Sequence, residues 1–178
     1  FAAMRKPIVI APAMNTHMYE SPATQQAICM LSQWDNITML DAASGELACG
    51  TTGKGRMQEV DVLAAAVEYA LTPKTLMGKR VLITAGPTQE AIDPVRYISN
   101  ASTGKMGYAL VRACLNRGAE VTLITGPTHL SLQAWQTFCP LKIVNVVSSA
   151  EMCEATISAF KQADITILCA AVADFTPC

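Results

Sequence analysis

At 178 residues the chain has room for one large domain or two small ones. Apolar residues make up 51% and charged residues 15%, a globular balance that excludes a disordered chain. A formal net charge of -1 argues against a basic surface built for nucleic acid and favours small-molecule chemistry.

The opening Phe1 to Pro7 leads into Ile8-Val9-Ile10-Ala11, too short an apolar run to span a membrane and read as a buried parallel strand. No signal-peptide layout precedes it, and the chain is expected to begin inside a domain. A loop, Pro12 to Glu20, is followed by Ser21-Pro22, a helix cap and a first-turn proline. Ala27, Ile28, Leu31 and Trp34 keep helical spacing across 23–34. Ile37 to Leu40 reads as a strand, Ser44 to Arg56 as a glycine-rich stretch and Val60 to Leu71 as a helix. Thr72-Pro73-Lys74-Thr75 ends it, and residues 73–78 read as a linker between domains at 1–72 and 79–178.

The pattern then restarts. Arg80 to Ala85 is a strand ending in Gly86-Pro87, and a polar loop runs to Thr103. A helix follows from Gly104 to Arg117, stopped by Gly118. Glu120 to Thr125 and Leu141 to Val146 are strands, Ala150 to Ala163 is an amphipathic helix, and Ile165 to Ala171 is a final strand. Alternation of this kind is α/β, with parallel strands joined by helical crossovers. Thr84-x-Gly86-Pro87 and Thr125-Gly126-Pro127 read as two strand ends of one sheet.

The seven cysteines include no C-x-x-C pair, and His17 and His129 are the only histidines, so nothing suggests a zinc site. Most thiols are expected to be small buried hydrophobes in a reducing, cytoplasmic setting.

Pro12 to Met18 lies just beyond a strand, where open parallel sheets bind ligands. Asn15 there either holds a substrate carboxylate or amide, or caps the turn that Pro12 sets. Gly50, Gly53 and Gly55 surround Lys54 and follow Cys49. Either this segment closes over a ligand with Cys49 as nucleophile or proton donor, or it is a surface hairpin around an inert cysteine. Pro-Ala-Met-Asn-x-x-Met at 12–18, with Ala-Cys-Gly-x-x-Gly-x-Gly-Arg at 48–56, resembles the flavin-dependent phosphopantothenoylcysteine decarboxylases. That resemblance implies that Asn15 contacts the substrate carboxylate and that Cys49 donates a proton to an enethiol intermediate, with FMN as oxidant. The family's catalytic histidine falls upstream of Phe1, so this chain alone is expected to bind flavin poorly.

In the second half, Ser102-Thr103-Gly104-Lys105 opens a helix whose exposed N–H groups suit an anion, unless it is simply a helix cap. It is neither a P-loop nor a G-x-G-x-x-G fingerprint. Arg96 and Asn100 precede it; Arg96 either grips a phosphate or carboxylate, or pairs on the surface with Asp93 or Glu90. The whole run from Ile83 to Gly107, with Ala170-Ala171-Val172-Ala173-Asp174-Phe175, is similar to bacterial phosphopantothenate–cysteine ligase.

The ligase resemblance implies CTP and Mg2+ as activating partners for 4'-phosphopantothenate. Asn100 and Arg96 fall at the acyl-cytidylate, Gly86, Ser102, Gly104 and Lys105 at the phosphates, and Ala170 and Asp174 at the nucleotide. The two resemblances follow the order of a bifunctional coenzyme A biosynthesis family. They imply the end of a flavodoxin-like/Rossmann-like flavoprotein domain and the start of a Rossmann-like ligase domain, both incomplete. They also imply a homo-oligomer, dimeric for ligases and trimeric or higher for decarboxylases, with no nucleic-acid or membrane partner. The ligase family's lysine-rich segment lies beyond Asp174, so weak turnover is expected of this chain alone. Competing readings are a Rossmann-like oxidoreductase, which lacks its ribose-binding acid here, and a non-catalytic scaffold.

Overall fold

A computed structural model describes residues 4–47 and 50–177, and the chain divides into two compact units, Phe1–Thr72 and Pro73–Cys178. In the first unit, β1 (Ile8–Ile10) pairs in parallel with β2 (Ile37–Met39). Between them run α1 (Thr16–Glu20), inside the segment read as loop, and α2 (Pro22–Ser32). Ser21 caps α2 by accepting from Thr24 N, as the Ser-Pro signal implies. No residue of α2 is fully buried, but Ile28 and Leu31 of its apolar spacing are half-buried and form its inward face, while Ala27 is exposed.

The glycine-rich stretch is an antiparallel hairpin, β3 (Ala43–Glu46) with β4 (Thr52–Arg56). The unit ends in α3 (Val60–Leu71), which buries Val62, Ala65 and Ala66, one stripe at helical spacing, and packs on β1.

The second unit is built on a four-stranded sheet. It consists of β5 (Arg80–Ala85), β8 (Glu120–Thr125), β9 (Leu141–Asn145) and β10 (Ile165–Leu168), in the order β10-β5-β8-β9 and all parallel. Two elements absent from the sequence expectation interrupt it. Residues read as polar loop form a ribbon, β6 (Gln89–Ala91) against β7 (Tyr97–Ser99), and a short helix, α5 (Gln133–Gln136), precedes β9. Such three-residue strands carry too little alternation to be read as strands.

Alternate residues of β5 face opposite helices. α6 (Ser149–Phe160) packs through Met152 on Leu82 and Ile124. α4 (Lys105–Asn116) presses Gly107 against Ala85 on the other face. Leu82, Ile83, Leu123 and Ile124 are fully buried, each contributing about 1.5–3 kcal/mol of transfer free energy. Segment 73–78, read as linker, is tied to this unit: Leu76 N donates to Arg117 O at 2.9 Å and Lys74 Nζ to Asn116 O at 2.9 Å.

The thiols depart from the expectation of burial. Cys114 and Cys139 are buried and Cys169 is half-buried, whereas Cys29 and Cys153 are exposed. No helix among the described residues is long and apolar enough to cross a membrane.

Candidate functional site

In the second unit the chain runs from β5 through α4 to β8 on one side, then returns through α6 to β10 on the other. The crevice beyond the carboxyl ends of β5 and β10 is therefore the topological switch point. Gly86 turns the chain off β5 at φ 74°, and Gly104 caps α4 at φ 73°. A Cβ on Gly104 would lie 3.3 Å from both Cα and N of Gly86. Any other residue at 104 would hold the first turn of α4 away from the strand end. Ser102 Oγ accepts from Gly104 N at 3.3 Å, and Lys105 stands exposed at the first helical position. The free N–H groups of that turn and the Lys105 ammonium suit an anion.

The opposite wall is the segment that follows β10. Thr84 Oγ1 accepts from Cys169 N at 3.2 Å and Ala170 N at 3.3 Å, and Ala171 N donates to Gly86 O at 2.9 Å. The methyl of Ala170 packs on the core, which leaves only its backbone to face the crevice. Asp174 is exposed a few residues on. Asn100 joins the walls: Nδ2 donates to Ala171 O at 3.1 Å and Val172 O at 3.0 Å. Both amide hydrogens are thus engaged, and Oδ1 is the group Asn100 can turn to a ligand.

Arg96 is engaged elsewhere. It lies in the turn of the β6–β7 ribbon, where its Nε donates to Asp93 Oδ2 at 2.6 Å and its side chain is 71% exposed. The surface pairing foreseen with Asp93 is present, and the one with Glu90 is not. Glu90 is buried and accepts from Ser149 N, at the start of α6, at 2.8 Å. That backbone donor, with hydroxyls of Ser149, Thr176 and Thr88, holds its carboxyl below the usual range against the opposing effect of burial. Sequence reasoning gave Glu90 only a surface pairing with Arg96. The signal for its burial was its two-residue spacing from Thr88, which puts both side chains on one side of an extended segment.

In the first unit the two motifs meet. Asn15 lies beyond β1 and caps α1, its Oδ1 accepting from His17 N at 2.9 Å. Met14 N donates to Gly55 O at 2.9 Å. A Cβ on Gly55 would collide with Met14 O, and one on Gly53 with Thr16 Oγ1. Those two glycines therefore serve the close approach of the hairpin to the Asn15 loop. Lys54 stands 5.3 Å from the centre of the Tyr19 ring and 3.3 Å from Asp41. Burial lowers its pKa, but Asp41 and Tyr19 outweigh that and raise it, so the ammonium stays charged. Cys49 lies outside the described residues. No group of three or more His, Cys, Asp or Glu able to hold a metal occurs among the described residues.

Residues 76–178 match the model of the DNA/pantothenate metabolism flavoprotein C-terminal domain. The chain belongs to the DNA/pantothenate metabolism flavoprotein family. Residues 1–72 match a second model, Flavoprotein, in accord with the α/β fold of this family member.

Over 178 residues the chain is 47% identical to the coenzyme A biosynthesis bifunctional protein CoaBC of Bacillus subtilis, covering 98% of this chain and 43% of that protein. It is also 47% identical over 182 residues to a cysteine/cysteine sulfinic acid decarboxylase of an unknown prokaryotic organism, covering 99% of this chain and 49% of that one. A crystal structure of the C-terminal domain of a CoaBC protein aligns with a TM-score of 0.52 at 48% identity, over 58% of this chain and 50% of that chain. The chain spans about half the length of the curated relatives it matches.

Proposed function

We propose that this family member serves coenzyme A biosynthesis. In this reading the second unit belongs to a CTP-dependent ligase joining 4'-phosphopantothenate to cysteine, and the first to a decarboxylase acting on the product. The observation that carries the ligase reading is the Gly86–Gly104 contact, which sets the N-terminal turn of α4 at the switch-point crevice beside Asn100. The name of the Bacillus subtilis relative supports the pathway.

The chemistry proceeds in two steps. The carboxylate of phosphopantothenate attacks the α-phosphorus of CTP, and the bond to pyrophosphate breaks. The cysteine amine then attacks the acyl carbon, the carbon–oxygen bond to CMP breaks, and the amine gives up a proton. The N–H groups of α4, with Gly86, Ser102, Gly104 and Lys105, hold phosphate oxygens in a geometry set before substrate arrives. Mg2+ would be held chiefly by the nucleotide's own phosphates. Asn100, its donors engaged by Ala171 and Val172, offers Oδ1 to an N–H of the incoming amine. Ala170 and Asp174 border the nucleotide. Arg96, once released from Asp93, supplies a planar fork for a phosphate or carboxylate.

In the first unit the loop that Asn15 caps, at the carboxyl end of β1 and braced by the hairpin, fits a carboxylate-bearing substrate beside a flavin. Asn15 would hold the substrate carboxylate and Cys49 would return a proton. FMN, when bound, supplies the oxidation of the cysteinyl carbon that makes carbon dioxide a leaving group. The reading includes cytoplasmic localisation and self-association; light scattering checks the latter.

The test is pyrophosphate release from CTP with Mg2+, 4'-phosphopantothenate and cysteine, using the protein at the full length of its curated relatives. Release that yields the cysteine amide and is impaired by Asn100→Ala supports the ligase; no release sinks it. A second reading, decarboxylation of free cysteine or cysteine sulfinate, has the relative of that name in its support. Carbon dioxide release from those compounds without phosphopantothenate would favour it.

A further inference from the structure

Among the described residues the buried polar side chains are Thr84, Thr88, Glu90 and Thr125, and Glu90 alone of these carries charge. Its hydrogen-bond partners are both donors: Ser149 N, at the start of α6, at 2.8 Å and Thr176 Oγ1, on the segment that follows β10, at 3.2 Å. An ionised carboxylate only accepts, and so holds both elements at once. Two residues earlier, Thr88 Oγ1 accepts from Ala173 N at 2.8 Å.

Thr88 is fully buried and bonds both to the segment that follows β10 and to the β6–β7 ribbon. Its N–H donates to Ala171 O at 3.3 Å, and its carbonyl accepts from Ser99 Oγ, next to Asn100, at 2.7 Å. One residue thus links the strand-end segment that borders the crevice to the ribbon strand that delivers Asn100.

We propose that Thr88 and Glu90 form a positioning latch that sets the Ala171–Ala173 segment against Asn100 for the reaction at the crevice. The proposal rests on the ligase reading for its chemistry and, for its geometry, on the bonds of Thr88 to Ala171 and Ala173 and of Glu90 to Thr176 on the same segment. Neither residue touches the reacting atoms; both act through Asn100 and the segment at 171–173.

Three variants of the protein at the full length of its relatives test it. Thr88→Val keeps the shape and removes the hydroxyl, Thr88→Ser keeps the hydroxyl, and Asn116→Ala removes the acceptor of Trp135 Nε1, destabilising the same unit away from the latch. Without substrate, Thr88→Val speeds amide exchange at Ala173 roughly tenfold or more. With substrate it lowers kcat for pyrophosphate release by roughly 10- to 100-fold, with a smaller change in the KM for CTP. Thr88→Ser restores both, and Asn116→Ala leaves kcat unchanged. Unaltered exchange and kcat in Thr88→Val overturn the latch, as does a Thr88→Ser protein equally impaired or an Asn116→Ala protein that loses as much kcat. If the parent protein releases no pyrophosphate, the ligase reading fails, and exchange at Ala173 alone upholds or overturns the latch.

Discussion

Gly104 meets Gly86 backbone to backbone, with no room for a side chain between the cap of α4 and the turn that ends β5. Gly104 also sits at φ 73°, the left-handed region where a Cβ is strained. Gly104→Ala is therefore expected to cost roughly 1–3 kcal/mol, from strain and a forced parting of helix and strand. Thermal denaturation should register the loss in the second unit. A midpoint equal to the parent's would refute the close contact.

Gly126→Ala is expected to be worse. A Cβ there would collide with the carbonyl of Pro87, so the neighbouring strand-end turns, Gly86-Pro87 and Gly126-Pro127, must part. Backbone has no rotamer by which to escape, and destabilisation of about 3 kcal/mol or more is expected. Urea unfolding of the variant would measure it.

Acid sensitivity should trace to Glu90. Its folded pKa lies below the usual carboxylate value because Ser149 N and the surrounding hydroxyls favour the charged form. A depressed carboxylate stabilises the fold fully above its unfolded pKa, and that contribution is lost as pH falls through the folded value. Stability followed from pH 6 downward should thus decline below about pH 4.5. In Glu90→Gln that part of the decline should vanish, alongside a stability at neutral pH already lower by about 1–3 kcal/mol. Asp93 and Asp164 are depressed in the same direction, chiefly by backbone hydrogen bonds from Val95 and Arg80, but both are at the surface and leave the Glu90 comparison intact.

Gly55→Ala should separate the hairpin from the Asn15 loop. The new Cβ would collide with Met14 O at a position whose φ is 146°, and the bond from Met14 N to Gly55 O would go with it. Faster amide exchange at Met14, with the second unit's melting unchanged, is the expected result.

The thiols should react in two classes. Cys29 and Cys153 are exposed and should be alkylated quickly at pH 8. Cys139 is buried, and burial pushes its pKa up to about 12 despite the nearby Lys74 ammonium, so its thiolate is scarce. Mass spectrometry after brief iodoacetamide treatment would find Cys139 unmodified; early labelling there would contradict the burial.

Much of this was legible in the chain itself. The strands of the second sheet run through continuous apolar stretches such as Val81-Leu82-Ile83, and that local pattern is enough to mark them. Ser21-Pro22 marked the start of α2, and Gly118, at φ 85°, marked the end of α4. The β6–β7 ribbon was not legible, because Gln89-Glu90-Ala91 and Tyr97-Ile98-Ser99 are too short for any period to emerge. Nor was the partial burial of α2, since helical spacing records a preferred face without saying how fully it is covered.

By itself the sequence determined the α/β alternation, the glycines at strand and helix ends, and the motifs that resemble two enzyme families. All of these depend on residues close together along the chain. Only the tertiary structure decided that Glu90 is buried and bonded to the start of α6, that Asn100 gives its amide hydrogens to Ala171 and Val172, and that Arg96 is paired with Asp93 in the ribbon turn. The partners of Glu90 and Asn100 lie some 60 to 85 residues away, at Ser149, Thr176, Ala171 and Val172, and a hydrogen bond across such a separation leaves no period in the chain. For Arg96 the choice between Asp93 and Glu90 was open in sequence, and the burial of Glu90 closed it.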